Sequence, residues 1–171
     1  MQATLPGRLI ILPAEKPEGK ALILKQKEEV IAMFSIVVCA HGDLAESLKR
    51  SVEMIFGEAK AVYPVRFVQG ENVEDIKKKL TDTIEGNHLK DVLIFTDIFC
   101  GSPYNASAAY AMTHPGIEVF SGVNLPLCLE AVSNQQIKSL DEIIDWLRSV
   151  APDTFKVLKD VLTTQEEEEQ L

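Results

Sequence analysis

The sequence predicts an α/β domain: an open, mostly parallel four-stranded sheet of order 2-1-3-4 with helices on both faces. Three observations carry this reading. Short β-rich apolar runs alternate with helical apolar stripes, the signature of a parallel sheet wrapped by crossover helices. Aromatic residues make up only 6 % of the chain, so the core is mostly aliphatic. The length of 171 residues suits one domain with an extension. Right-handed crossovers and short connections then leave few topologies.

The elements follow in order from Met33. Residues 34–40 form a short apolar run, too short for a buried helix. Residues 43–56 put Leu44, Leu48, Val52, Ile55 and Phe56 on one helical face, with Gly57 as the stop and Asp43 with Glu46 as a capping box. Residues 61–65 read as a weak strand broken by Pro64. Val73, Ile76, Leu80 and Ile84 stripe a second helix, whose other face carries Lys77, Lys78 and Lys79 as a solvated run. Val92 to Thr96 is the third strand, ending at Asp97. A Gly-Ser-Pro turn leads into a small-residue helix around 106–112, with Ser102 at its N-cap and Pro103 at its first position. Residues 117–120 are the fourth strand, and 125–132, 140–150 and 155–162 read as helices. Trp146 shares a stripe with Ile143, Ile144 and Leu147 and is expected in the core.

Residues 1–32 differ in character. Pro6, Pro13 and Pro17 interrupt the short apolar runs 9–12 and 21–24, and Glu15 and Glu18 rule out a secretory signal. We read 1–32 as an appended segment with a short strand pair, 33–163 as the functional domain, and 164–171 as a frayed acidic tail. The formal net charge of −9 argues against nucleic acid or an anionic membrane as the main partner. No apolar run approaches the roughly 20 residues of a membrane helix. Three cysteines suggest no disulfide framework, so the expected compartment is the cytoplasm.

Parallel sheets bind ligands at the carboxyl ends of their strands, where the strand order reverses. His41 and Gly42 follow the first strand, and Asp97 follows the third. With the order 2-1-3-4 they share one crevice. His41 also opens a helix, whose free N–H groups and partial positive charge suit an anion such as a phosphoryl group on the imidazole. Asp97 then fixes the ring's tautomer and orientation, and Ser102 donates a hydroxyl to the same place. Each residue also has a plain structural reading: a polar histidine after a strand, an aspartate closing a turn, a serine capping a helix. A Cys39–His41–Cys100 zinc cluster lacks a Cys-x-x-Cys pair to support it. Cys100 at a strand end, with His41 as its base, is an alternative nucleophile. His88 and His114 lie in polar turns and read as solvated. No glycine-rich nucleotide fingerprint is present, and no cofactor or metal is expected.

The ordered motifs resemble one family. Residues 39–45 (Cys-Ala-His-Gly-Asp-Leu-Ala) with 53–57, then Thr96-Asp97 with Gly101-Ser102-Pro103-Tyr104-Asn105, then 121–127 (Ser-Gly-Val-Asn-Leu-Pro-Leu), are similar to the mannose-type enzyme IIA of the bacterial sugar phosphotransferase system. The match runs from about Phe34 to Pro126. The resemblance implies that His41 accepts a phosphoryl group from the phosphohistidine of the carrier HPr. It passes the group to a histidine of enzyme IIB, which phosphorylates the sugar during uptake. It further implies Asp97 as the orienting partner and Gly42, Gly101, Ser102 and Asn105 as loop and phosphate-site residues. A homodimer is implied too, peripheral to the membrane permease only through IIB. Cys100 stands where the family has the first glycine of Gly-Gly-Ser-Pro, which bears on the loop's backbone path. Too little chain follows Pro126 for a IIB domain, so a standalone IIA is expected. The runner-up readings are the phosphotransfer subunit of dihydroxyacetone kinase, which shares the fold and the early histidine, and a non-catalytic regulatory protein.

Overall fold

The computed structural model describes residues 34–159. Four parallel strands form one sheet: β1 (Ser35–His41), β2 (Val62–Phe67), β3 (Val92–Thr96) and β4 (Ile117–Ser121), in the order β2-β1-β3-β4. The expected order 2-1-3-4 is therefore present. The helices are α1 (Leu44–Phe56), α2 (Val73–Gly86), α3 (Ser102–Ala111), α4 (Leu125–Asn134) and α5 (Leu140–Val150), followed by a 3₁₀ turn at Ala151–Thr154.

The alternation along β1 and β3 divides the core in two. Ile36, Val38, Ala40, Leu93 and Phe95 face one side and pack with Leu48 and Val52 of α1, Ala131 of α4, and Ile143 and Leu147 of α5. Val37, Cys39, Val92 and Ile94 face the other and pack with Ile76, Leu80 and Ile84 of α2 and with Ala106 and Tyr110 of α3. The central strands are thus buried on both faces, which is why they read as continuous apolar runs. Full burial of each such aliphatic side chain contributes roughly 1.5–3 kcal/mol. Gln135 anchors the far end of α4 by donating to the Phe34 carbonyl at 2.9 Å.

Several local expectations need correction. Pro64 does not break β2, because β2 is an edge strand and only one side of it must supply ladder hydrogen bonds. Asp43 precedes α1 but makes no side-chain cap; its carboxylate accepts from Arg66 of β2 at 2.8 Å, and Glu46 also pairs with Arg66 at 3.4 Å. A charge-assisted bond to a guanidinium is stronger than a neutral cap, so the capping box does not form. True capping boxes occur at Asn72–Asp75 of α2 and Ser139–Glu142 of α5.

Leu44, Ile55 and Phe56, at the two ends of α1, are exposed, and the buried face is Ala45, Leu48 and Val52. Gly101, not Ser102, is the N-cap of α3. Trp146 is 39 % exposed; its indole N–H donates to Glu130 and Lys138 sits over its ring, so it is held by polar partners at the surface. Residues 155–157 are not helical, and Phe155, Val157 and Leu158 are exposed. The expected strand pair within 1–32, residues 160–162 of the last expected helix and the acidic tail lie outside the described residues.

Candidate functional site

The carboxyl ends of β1 and β3 are adjacent, with Cys39 opposite Thr96 in the ladder. His41 is the last residue of β1, and Asp97 is the first after β3. One carboxylate oxygen, Asp97 Oδ2, accepts from the His41 backbone N–H at 3.1 Å and lies 2.8 Å from His41 Nδ1. The other, Oδ1, accepts from the Ile98 backbone N–H at 3.0 Å. The Asp97 side chain is only 15 % exposed, whereas His41 is 44 % exposed.

Burial by itself would raise the Asp97 carboxyl. The His41 backbone N–H, the His41 ring and the Ile98 N–H outweigh it and hold the group below its ordinary value. An ionised carboxylate is an acceptor only, so Nδ1 carries a proton, and in the neutral ring Nε2 then keeps its lone pair. Nε2 can therefore act as a nucleophile, and a positive charge developing on the ring would be balanced by Asp97.

The ring is held from two more sides. Phe67 of β2 meets it edge-on, centroids 5.3 Å apart. Gly101 comes so close that a Cβ there would lie 3.2 Å from His41 Cε1 and 2.6 Å from a methyl carbon of Ile98. Any larger residue would push the loop off the ring. Gly101 is also the N-cap of α3, so the free N–H groups of that helix start beside the imidazole. Gly42 turns the chain from β1 toward α1 with φ +58, and its N–H donates to the Phe67 carbonyl at 2.8 Å.

Cys100 has φ +62, a left-handed conformation that glycine adopts freely and an L-residue adopts at a cost of about 1–2 kcal/mol. The thiol substitution therefore leaves a glycine-type backbone path in place. Asn105 holds that path: its Nδ2 donates to the Cys100 carbonyl at 3.1 Å, and its backbone N–H donates to Gly101 O at 2.9 Å. Asn105 thus acts on the loop and does not bond the imidazole. Ser102 lies in the first turn of α3, and no hydrogen bond joins it to His41 among the described residues.

The remaining candidates lie apart from this pair. Cys39 is fully buried on the sheet face under α2 and α3, and burial pushes its thiol up to about 12. Among the described residues no group of three His, Cys, Asp or Glu side chains is placed to hold a metal ion. Cys100 makes no hydrogen bond to His41. His88 is exposed. His114 is half-buried rather than solvated: it stacks on Tyr110 at 3.9 Å, with Nδ1 2.8 Å from the Tyr110 carbonyl. Lys77, Lys78 and Lys79 are tied to Glu74, Asp82 and Glu71.

The sequence motifs do not mark Ile98 and Phe99. Both are exposed, at 57 % and 67 %, immediately beside Asp97. Phe99 rests on Tyr104, with centroids 4.8 Å apart. Two large apolar residues in a turn otherwise built from Asp, Cys, Gly and Ser were the available signal.

Comparison with known proteins bears on the family and the fold. The family model described as the PTS system fructose IIA component matches residues 35–147. A PTS system sorbose-specific EIIA component from Klebsiella pneumoniae is 41 % identical over 79 % of this chain and 99 % of its own length. A fructose-specific EIIA component from Bacillus subtilis is 32 % identical over 76 % of this chain and 90 % of its own. The crystal structure of a phosphotransferase system component EIIA from Streptococcus agalactiae superposes with a TM-score of 0.70 at 27 % identity, covering 75 % of this chain and 99 % of that one. With its sheet order, its motifs and these matches in agreement, the chain belongs to the mannose-type enzyme IIA family of the phosphotransferase system.

Proposed function

We propose that the protein is a phosphohistidine relay in sugar uptake: His41 accepts a phosphoryl group from phospho-HPr and passes it to an enzyme IIB. The observation that carries this is the half-exposed imidazole whose Nδ1 lies 2.8 Å from a carboxylate at the carboxyl end of the sheet. In the first step His41 Nε2 attacks phosphorus in line with the phospho-HPr nitrogen; in the second a histidine nitrogen of enzyme IIB attacks in line with His41 Nε2, which is then the donor nitrogen. The new P–N bond forms as the old one breaks, and the donor imidazole keeps the electron pair of the broken bond. The proton on Nδ1 stays between the ring and Asp97, so no separate base is needed. Asp97 balances the cationic ring of the phosphorylated state, which keeps the group transferable in either direction. α3 opens at Gly101 close to the imidazole, and the free N–H groups and partial positive charge of its first turn suit the added anion. The test is incubation with enzyme I, HPr and labelled phosphoenolpyruvate, followed by addition of an enzyme IIB. Label that enters the chain and then leaves with IIB supports the relay. A chain that takes no label is a scaffold.

Ile98 and Phe99 directly follow Asp97 and half-exposed Leu44 opens α1 three residues after His41, so exposed apolar side chains flank the polar pair in the chain, which suits docking of a partner protein at a small reactive centre. Phe99→Ala is expected to raise the half-saturating concentration of phospho-HPr about ten-fold and leave the saturating transfer rate within about two-fold. A fall in the saturating rate with unchanged half-saturation would place Phe99 in the chemistry instead.

The proposal extends to residues 33–163 as the phosphotransfer domain, to a homodimer and to a cytoplasmic location. Among the described residues no helix is long and apolar enough to cross a membrane. Sedimentation at a single-chain mass over a wide concentration range would remove the homodimer. A chain starting at Met33 that folds but takes no phosphate would make residues 1–32 part of the function. Choice of sugar is assigned to the IIB and membrane components.

A further inference from the structure

The segment 121–124 bonds neither His41 nor Asp97, yet it is fastened to the peptide that precedes Asp97. Gly122 turns the chain after β4 with φ +90, and a Cβ there would meet nothing within 4 Å, so its backbone conformation is what calls for glycine. The turn directs two donors, the Gly122 and Val123 N–H groups, onto the Thr96 carbonyl at 2.9 and 3.1 Å. That oxygen belongs to the peptide linking Thr96 to Asp97. Two bonds to one carbonyl fix the plane of that peptide and so the direction in which the Asp97 side chain leaves the backbone.

Asn124 holds the turn from its other end. Its Oδ1 accepts from the Leu127 N–H at 2.9 Å, capping α4, while its Nδ2 donates to Thr154 Oγ1 at 2.8 Å. The Thr154 hydroxyl in turn donates to the Ala151 carbonyl at 2.8 Å. The link from the 3₁₀ turn after α5 to the site therefore runs by hydrogen bond from Thr154 to Asn124, along the backbone to the 122–123 turn, by hydrogen bond to the Thr96 carbonyl, and along the backbone to Asp97, which meets His41.

We propose that Asn124 and Thr154 are positioning residues for the His41–Asp97 pair, locking the 122–123 turn against the Thr96 carbonyl and thereby aiming the carboxylate. The effect on rate rests on His41 being the phosphoryl acceptor; the effect on the His41–Asp97 hydrogen bond does not. Thr154→Val in the full chain removes the acceptor for Asn124 Nδ2 and leaves the Asn124 cap of α4 intact. Thr154→Ser keeps the hydroxyl. Three measurements are made on each: the His41 Nδ1–H signal by nitrogen-edited proton NMR, single-turnover transfer from phospho-HPr over a range of donor concentrations, and a thermal melt.

Thr154→Val is expected to shift or broaden the Nδ1–H signal and to lower the saturating transfer rate about ten-fold, with half-saturation within about two-fold of wild type. Thr154→Ser is expected to restore both. Asn124→Asp, which still accepts from Leu127 but has no amide donor, carries the same expectation and replaces Thr154→Val if that variant does not fold. A wild-type Nδ1–H signal and rate alongside a lowered melting temperature would overturn the proposal and leave a purely structural latch. If the wild-type chain takes no phosphoryl group at all, the relay reading fails and the NMR signal alone decides the positioning role.

Discussion

His41→Ala is expected to reduce phosphoryl uptake from phospho-HPr to background, a loss of at least about 10³-fold, while the fold persists. The magnitude follows from covalent chemistry: removing the nucleophile removes the bond that holds the phosphoryl group, and no neighbouring side chain can replace it. His88 is exposed on the connection after α2, and the His114 ring lies against Tyr110, its Nδ1 engaged with a backbone carbonyl. Stability changes little because the His41 ring is half-exposed, and Asp97 keeps the backbone N–H bonds of residues 41 and 98. The loss is about 1 kcal/mol, that of one hydrogen bond. The measurement is acid-labile, base-stable label on wild type, His41→Ala, His88→Ala and His114→Ala. Label surviving on His41→Ala would move the acceptor elsewhere, and a chain that loses label only in His114→Ala would point to the Tyr110 stack.

The fold was legible because parallel sheets leave a strong trace. Buried on both faces, β1 and β3 had to be mostly apolar, and the stripe of Ile76, Leu80 and Ile84 has one period that fits. Placing His41 and Asp97 after neighbouring strands then needed only the strand order. What the sequence did not show depended on long-range polar choices. Asp43 and Glu46 have the spacing of a cap, but Arg66, a strand away, takes both carboxylates. Trp146 lies one position from Ile143's face of α5, where Glu130 and Lys138 make a partly exposed indole stable. At the site, the close approach of Gly101 to the imidazole and the strained backbone of Cys100 arise from a loop path that no local pattern encodes. Ile98 and Phe99 lie beyond the strand end that Asp97 marks, and their exposure follows from the loop path rather than from any periodic pattern.

Asp97→Asn is expected to slow single-turnover transfer about 10²-fold, roughly 3 kcal/mol, and to lower stability by only about 1–2 kcal/mol. The geometry explains why an isosteric change is so costly. Asp97 Oδ2 faces two groups of His41, the backbone N–H and ring Nδ1, while Oδ1 faces the Ile98 N–H. If the amide oxygen of Asn takes the Oδ2 position, its NH₂ confronts the Ile98 N–H, donor against donor. If the NH₂ takes that position, it confronts the His41 N–H and drives the ring proton to Nε2, which blocks the nucleophilic nitrogen. Either way one hydrogen bond is lost, and the charge that balances a phosphorylated imidazole is gone.

The pH dependence separates this role from that of a turn closure. The Asp97 carboxyl is held below its ordinary value of about 3.9, so its contribution to stability is complete above that pH and is lost as pH falls through the folded-state value. At neutral pH it is fully ionised, and its titration leaves transfer untouched. Wild type is therefore expected to lose stability on acidification below about pH 4 more steeply than Asp97→Asn, which has no group to protonate there. Parallel acid melts of the two proteins check this, alongside the transfer rates. Transfer within about two-fold of wild type in Asp97→Asn, with superimposable acid melts, would reduce Asp97 to a turn residue, since Asn serves that purpose nearly as well. A rate loss without the difference in acid stability would leave the catalytic charge in place but place the hydrogen bonds of Asp97 in the unfolded chain as well as the folded one.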